Sequence, residues 1–500
     1  MQDLIHSLAQ EKFGIINLHP YQKLIIQRIL EHDTESTDHE GMLVVLPTGS
    51  GKSVCFMLPS LLVSGLTVIV YPLLSLMNDQ VKRFEQSGIR CVCIRGGQTK
   101  EQRKLIWEWL GDKQTTVVIT NAECMLNPQI IAKLSLYPIS LLVVDEAHTV
   151  VQWGTSFRPS YKSLGTVIAY LPVRQILAFT ATSDKTITDE LQTMLFLGKR
   201  PHSIRASADR QNLIYHVQDT LSKAHSLAML LKSPTSRPAV VFCATRKECE
   251  LAAKDFSNTH QHIPSRYYHA GLGMYSRVLL ESWFAATAEG VLFSTNAFGM
   301  GVDKKNIRTV IHRTLSKDVA SFLQESGRAG RDGNIAHSFV LLGEQEKRKT
   351  TYEASSFSVL YNIFTQRQVC LRSALLHLLG ETLEGCSGCD VCNKTLFTEP
   401  DGMRQIVRTV QSRPLAYTPG TLAKLLCRQD SADSRSGILS QWSERELVEA
   451  IKSLLDRNIL ALARYPKKRL YARFMHKNIP HKKHPSVKEN ANQAIFPLKE

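Results

Sequence analysis

Five hundred residues, 43% of them hydrophobic, exclude wholesale disorder and leave room for about three domains at roughly 100–200 residues each. Sixty-one Lys and Arg against 45 Asp and Glu give a net charge of +16, which points to a polyanion such as nucleic acid over the plainer alternative of a basic soluble protein. No apolar run approaches the ~18 residues of a membrane span, the opening "MQDLIHSLAQEKFG" lacks the pattern of a signal peptide, and eleven mostly unpatterned cysteines favour a reducing compartment, so a cytoplasmic protein is expected.

Along the first 345 residues, short β-branched runs alternate with helix-like stretches. "MLVVL" (42–46), "LTVIVY" (66–71), "TTVVIT" (115–120), "SLLVV" (140–144) and "QILAF" (175–179) form one series. "AVVFC" (239–243), "GVLFS" (290–294), "TVIH" (309–312) and "SFVLL" (338–342) form a second. Continuous apolar runs of this kind are the mark of parallel strands buried on both faces. The class is therefore α/β, with two parallel-sheet domains over 1–208 and 209–345.

The first run leads into "LPTGSGKSV" (46–54), a strand, a glycine turn and a helix start. Gly49 and Gly51 let the backbone of Thr48–Ser53 curl so that its N–H groups, Ser50 included, face phosphate. Lys52 can then reach the terminal phosphates of ATP, and Ser53 can hold Mg²⁺. Leu46 stands where the general phosphate-loop pattern has glycine, so only the narrower Thr-Gly-x-Gly-Lys-Ser form is met. The alternative, a chance glycine turn, fits poorly with flanking strand and helix signals.

"VVDEAHTVVQWGTSFRPSY" (143–161) ends an apolar strand in Asp145, Glu146 and His148. Ligands bind at that edge of an open parallel sheet. Asp145 is suited to a Mg²⁺ shell and Glu146 to orienting and deprotonating an attacking water. A solvated acidic turn is the plain alternative for a lone Asp-Glu pair. A few residues on, Trp153, Phe157 and Arg158 offer two stacking faces and a phosphate partner, against the alternative of core aromatics. In the second domain "QESGRAGRDG" (324–333) supplies Arg328 and Arg331 on a glycine-tightened loop, suited to a transferring phosphoryl group, against the alternative of a surface loop with two solvated arginines.

Beyond residue 346 the pattern changes. Cys370, Cys386, Cys389 and Cys392 are spaced as a closed thiolate site within a zinc-binding subdomain over 346–400, which favours structural Zn²⁺. An iron–sulfur cluster and disulfides are the alternatives, the latter disfavoured by compartment. Three amphipathic helices follow over 401–475, with N-caps at Thr418 and Ser443, and then two short strands around "YPKK". That order suggests a winged-helix-like DNA-binding module, followed by a basic tail over 476–500. No acidic residue falls between Arg457 and Lys488, so Lys467 and Lys468 suit a duplex backbone.

Taken together, "LPTGSGKS", "YPLLSLMNDQ", "DEAH", "AFTATS", "STNAFGMGVD" and "QESGRAGRDG" resemble the motif series of superfamily 2 helicases, and in detail the RecQ family of DNA helicases. "QWGTSFRP", "YHAGL" and "DRQNL" resemble further segments of that family. The resemblance implies two RecA-like domains, ATP-driven 3′→5′ movement on single-stranded DNA and strand separation in repair, recombination or replication. It implies that Gln22, in "FGIINLHPYQ", reads adenine, although Ile15 and His19 replace the usual aromatic and arginine. It implies that the Trp153–Arg158 loop reports DNA to the ATP site, here with Thr155 and Ser156 in place of His and Asp. Tyr465 at the wing tip would stack on the end base pair, against the alternative of a core tyrosine beside a solvated basic turn. The cysteines match the family's zinc subdomain, and the accessory C-terminal nucleic-acid domain of some members is expected to be absent. Single-stranded and duplex DNA are the expected partners of a monomer, alongside single-strand-binding or recombination proteins. An RNA helicase and a non-hydrolysing DNA-binding scaffold are the alternatives.

Overall fold

The structure is a computed structural model that describes residues 2–35, 40–47, 49–112, 115–154, 159–181, 185–298, 304–352, 356–366, 368–395, 399–428, 435–463 and 469–473. The chain divides into two compact units, Met1–Asp401 and Gly402–Glu500.

The first unit contains two parallel sheets. One is built from β1 (Glu40–Val45), β2 (Leu66–Val70), β3 (Cys91–Cys93), β4 (Val117–Thr120), β5 (Ile139–Val144), β6 (Val173–Thr180) and β7 (His202–Arg205), in the order β3-β4-β2-β5-β6-β1-β7. The other contains β8 (Leu213–Asp219), β9 (Ala239–Phe242), β10 (Ser265–Tyr268), β11 (Val291–Ser294), β12 (Thr309–His312) and β13 (Ala336–Leu342), in the order β10-β11-β9-β12-β13-β8. All their pairings are parallel. These are the two parallel-sheet domains that the apolar runs announced, RecA-like as the resemblance implied.

Apolar side chains cover both faces of the first sheet. Leu43, Val68 and Val144 pack on one side, and Val44, Ile69 and Val143 on the other. Burial on both sides is why these strands read as unbroken apolar runs. Register fixes the functional edge. Val144 lies beside Val70 and Ala178, and Val45 beside Thr180. The chain segments leaving β1, β5 and β6 therefore emerge side by side. Leu46 N donates to Thr180 O at 2.9 Å, and Ala147 N to Phe179 O at 2.8 Å, which locks the three exits together.

Close packing here leaves little tolerance. Gly165, in the helix Leu164–Ile168, faces the backbone of Met194, and a Cβ at Gly165 would overlap the Met194 carbonyl oxygen. Gly165→Ala is expected to destabilise the fold by about 3 kcal/mol, since backbone and not a flexible side chain must yield. Urea unfolding of the purified variant checks this, and an unchanged midpoint would contradict it.

The second unit holds the helices Met403–Ser412, Pro419–Cys427 and Glu444–Asp456. Thr418 and Ser443 cap the latter two with full capping boxes, as their sequence positions suggested. Leu422, Leu426, Leu447, Ile451 and Leu454 are fully buried. β14 (Leu460–Leu462) and β15 (Leu470–Ala472) pair antiparallel, which gives the helix and strand order of a winged helix. Tyr465, Lys467 and Lys468 lie outside the described residues.

Candidate active site

The exits of β1 and β5 face the arginine loop of the second sheet across a cleft of about 500 Å³, a volume suited to a small-molecule ligand. Its walls carry Gly49, Ser50, Gly51, Lys52 and Ser53 from the phosphate-loop segment, and Asp145 and Glu146 from the end of β5. Arg328 and Arg331 line it from the other domain. Gly49 has φ +82° and Gly51 φ +76°, left-handed values that only glycine adopts without strain. The curl read from sequence is therefore present. Thr48 lies outside the described residues.

Lys52 and Glu146 form a shielded ion pair, Nζ to Oε1 at 3.2 Å, with side-chain exposures of 11% and 17%. Burial pulls the Lys52 ammonium down, but the carboxylates of Glu146 and Asp145 outweigh it and the net shift is upward. The two neighbouring acids are pushed in opposite directions. Burial raises Asp145 to about 6, against the pull of Lys52. Glu146 feels the same burial, yet Lys52, His148 and Arg328 together bring it below its ordinary value. The difference follows from geometry, because the Lys52 ammonium bonds Glu146 directly.

Glu146 sits at φ +51°, a left-handed conformation that costs a non-glycine residue roughly 1–2 kcal/mol. Strain of this kind is held only where the surroundings over-determine it. Asp145 Oδ1 accepts from Glu146 N at 2.9 Å, and Thr149 N donates to Glu146 O at 2.9 Å. Glu146 Oε2 is buried without a hydrogen-bond partner among the described atoms, an acceptor aimed for a water or a ligand hydrogen. His148 Nδ1 lies 3.4 Å from that oxygen and 3.1 Å from Thr180 Oγ1. Burial lowers the His148 pKa, which keeps the ring neutral at pH 7.

Arg328 is 5% exposed, and burial together with Arg331 lowers its pKa to about 10, so it stays cationic. A solvated surface loop is excluded for this side chain. Gln22 is buried. Its Nε2 donates to Ser50 O at 3.2 Å, and its Oε1 accepts from His19 N at 2.9 Å. Ile15 and His19 line the same cleft, in the places where the resemblance puts the base. The donor set fits a nucleotide polyphosphate with Mg²⁺: cations from two domains, a curled backbone and a buried acid pair at one end. Of Trp153 the backbone is described, at the end of the helix His148–Gly154. Phe157 and Arg158 lie outside the described residues.

Sequence reading quoted "YPLLSLMNDQ" without a role for its last two residues, Asp79 and Gln80, and passed over Arg83 and Lys305; all four also line the cleft. It quoted "AFTATS" without giving Thr180 its contact to His148, and "DRQNL" without a role for Arg210.

The four cysteines come together as expected, with their Sγ atoms within 4.8 Å of one another. Cys370 and Cys389 Sγ are 3.9 Å apart, against the ~3.8 Å spanned by two thiolates on one tetrahedral zinc. All four are free of disulfides. They fit a closed zinc site. His377 ends the helix Leu371–His377 and is not a member of the cluster.

Residues 19–190 match the DEAD/DEAH box helicase family, and residues 222–333 match the helicase conserved C-terminal domain. The chain is similar to ATP-dependent DNA helicase RecQ of Haemophilus influenzae, 30% identical over 400 residues, which cover 77% of this chain and 63% of that protein. It is similar to the probable ATP-dependent DNA helicase RecS of Bacillus subtilis, 36% identical over 337 residues, covering 66% and 65%. The chain thus spans less than two thirds of the length of these relatives. Among solved structures, the DUF1998 helicase MrfA bound to DNA aligns with TM-score 0.58 at 16% identity, over 94% of this chain and 58% of that one. S. cerevisiae Dbp5 bound to RNA and ADP BeF3 aligns with TM-score 0.54 at 16% identity, over 73% and 93%. At those identities the two structures bear on fold alone. No described helix is long and apolar enough to cross a membrane.

Proposed function

Since the chain belongs to the RecQ family of superfamily 2 helicases, we propose that it hydrolyses ATP to move 3′→5′ along single-stranded DNA and to separate duplex strands. The observation that carries this reading is the meeting of Lys52 and Glu146 from the first sheet with Arg328 and Arg331 from the second around one cleft. A site completed by two domains ties hydrolysis to their relative movement, which a motor requires.

In this mechanism the curled backbone of Gly49–Ser53 cradles the phosphates, and Lys52 leaves Glu146 to pair with them. Glu146, released from that ion pair, orients the attacking water and takes its proton. The His148 ring, placed by its contact to Thr180 Oγ1, stands beside Glu146 Oε2 and limits where that carboxylate can move. Arg328 and Arg331 neutralise charge that builds on the transferring phosphoryl group. Ser53 and Asp145 would hold Mg²⁺, which when bound neutralises phosphate charge. Adenine recognition is assigned to Gln22, whose amide would exchange its present backbone partners for the base. Trp153, Phe157 and Arg158 are assigned to single-stranded DNA. The wing, through Tyr465, Lys467 and Lys468, is assigned to the duplex. The cysteine cluster is assigned to Zn²⁺. We place the monomeric enzyme in the cytoplasm, in DNA repair, recombination or replication.

ATP turnover is expected to rise with single-stranded DNA and not with single-stranded RNA, and a 3′-tailed duplex is expected to open while a 5′-tailed one does not. Stimulation by RNA would turn the assignment to an RNA helicase. A folded, DNA-binding chain without turnover would turn it to a scaffold.

A further inference from the structure

The segment Asp209–Asn212 joins the last strand of one sheet to the first of the other. The mechanism above leaves it without a task. We propose that Arg210 is a positioning residue for ATP hydrolysis, holding the backbone of the loop that carries Arg328 and Arg331. This rests on the hydrolytic reading of the cleft.

The contacts are unusually directed. Arg210 Nη1 donates to Gly327 O at 3.4 Å, and Nη2 donates to Ala329 O at 3.4 Å and Gly330 O at 2.8 Å. One planar guanidinium thereby spans the carbonyls that bracket Arg328 and immediately precede Arg331, a geometry a lysine ammonium does not reproduce. Asn212 adds a second hold, its Nδ2 donating to Gly330 O at 2.8 Å and Asn334 O at 2.7 Å. Gly330 takes φ +60°, so the loop turns in a conformation that glycine alone accepts easily.

The same guanidinium stands at the phosphate loop. A Cβ built on Gly49 would lie 3.3 Å from Arg210 Nη1 and 3.2 Å from Arg331 Cγ. Arg210 therefore sits where the phosphate loop and the arginine loop meet. Its own backbone is held from behind. Arg372, with a side-chain exposure of 1%, pairs with Asp209 and donates to Arg210 O at 3.0 Å, and also to the Leu213 carbonyl. With its backbone fixed by a buried cation, Arg210 transmits little slack to the loop it holds.

A residue acting this way should alter the transition state more than ground-state binding. Arg210→Ala is expected to lower kcat for DNA-stimulated ATP hydrolysis by about 10- to 100-fold, the scale of a misplaced catalytic group, while KM for ATP moves much less. Arg210→Lys should fall between the wild type and the alanine variant. In an Arg328→Ala/Arg331→Ala background, adding Arg210→Ala should cost little more, because both groups being positioned are gone. A purely structural staple would instead lower thermal stability and multiply with the loss of the two arginines. Full multiplication, or wild-type kcat in folded Arg210→Ala, overturns the role. If that variant does not fold, Arg210→Lys and Asn212→Ala must each lower kcat at unchanged melting temperature, and wild-type turnover in both overturns it. Wild-type turnover in Arg331→Ala would bring down the reading of the arginine loop itself, and this role with it. An impaired Arg331→Ala beside an unimpaired Arg210→Ala would bring down the role alone.

Discussion

Glu146→Gln is expected to lower DNA-stimulated ATP turnover by about 10²- to 10⁴-fold, the range of a general base, while single-stranded DNA still binds. The substitution keeps side-chain volume and leaves an amide oxygen for Lys52 Nζ, now 3.2 Å from Oε1. Asp145 remains as the neighbouring carboxylate that Lys52 feels. The fold should therefore survive the loss of the base. Lys52→Ala tests the same site less cleanly. It leaves Glu146 shielded without its cation, and removing one partner of a buried pair costs about 3–5 kcal/mol. It too should abolish turnover, but with a fall in melting temperature that Glu146→Gln should not show. Steady-state ATPase, DNA binding and thermal melts on the two variants separate chemistry from stability. Wild-type turnover in a folded Glu146→Gln protein would remove Glu146 from the mechanism.

In the two parallel sheets, the nine strands legible in the sequence are the nine interior ones, and the four missed, β3, β7, β8 and β10, are the four edges. The reason is physical. An interior strand is covered on both faces and flanked on both sides, so nearly every residue is apolar. An edge strand is partly wet. β7 reads His-Ser-Ile-Arg and is mostly exposed, while β8 alternates Leu213, Tyr215 and Val217 with half-buried Ile214, His216 and Gln218. Those two edges stand on either side of the 208/209 boundary, in the stretch between the two series of apolar runs. The hand-over is confined to residues 206–212.

The site divides along a similar line. The phosphate loop, the acid pair and the cysteine knuckle are local patterns, and close spacing in sequence made them readable. The partnerships of Thr180 and Arg210 are not local. Thr180 meets His148 across 32 residues, and Arg210 meets Gly330 across 120. Neither pairing leaves a periodic or spaced signature, because sheet order, not chain order, brings the partners together. His148 was read as one of the acid-site group, yet its neutral state and its bond to Thr180 follow only from burial at the β5–β6 exits.

Metal analysis is expected to find one Zn²⁺ per chain, and Cys389→Ala to lower the melting temperature on the order of 10 °C, with a smaller effect on ATP chemistry per folded molecule. The size follows from what the knuckle covers. β8 is an edge strand, and its outer side would otherwise present open backbone groups. Tyr215 N donates to Gly388 O at 3.4 Å, and Val217 N to Asp390 Oδ2 at 2.7 Å, both acceptors lying within the cysteine spacing. Asp390, fully buried, also meets His216 Nδ1 at 2.6 Å and accepts from Thr395 Oγ1 at 3.0 Å. Fully buried Cys389 occupies the position just before the short helix that begins at Asp390, without a side-chain cap bond to it. Without a tetrahedral anchor at Cys389, both acceptors lose their fixed place and the edge of the second sheet opens. The active cleft is better insulated. Arg372 donates to Gly388 O at 3.3 Å, but its bonds to Asp209, Arg210 O and Leu213 O do not involve the knuckle. Loss of metal should therefore unfold more molecules before it slows those that remain folded. Chelated, metal-free protein with an unchanged melting temperature would refute the structural role. A proportionate loss of turnover at unchanged melting temperature would show that the knuckle acts on the arginine loop directly.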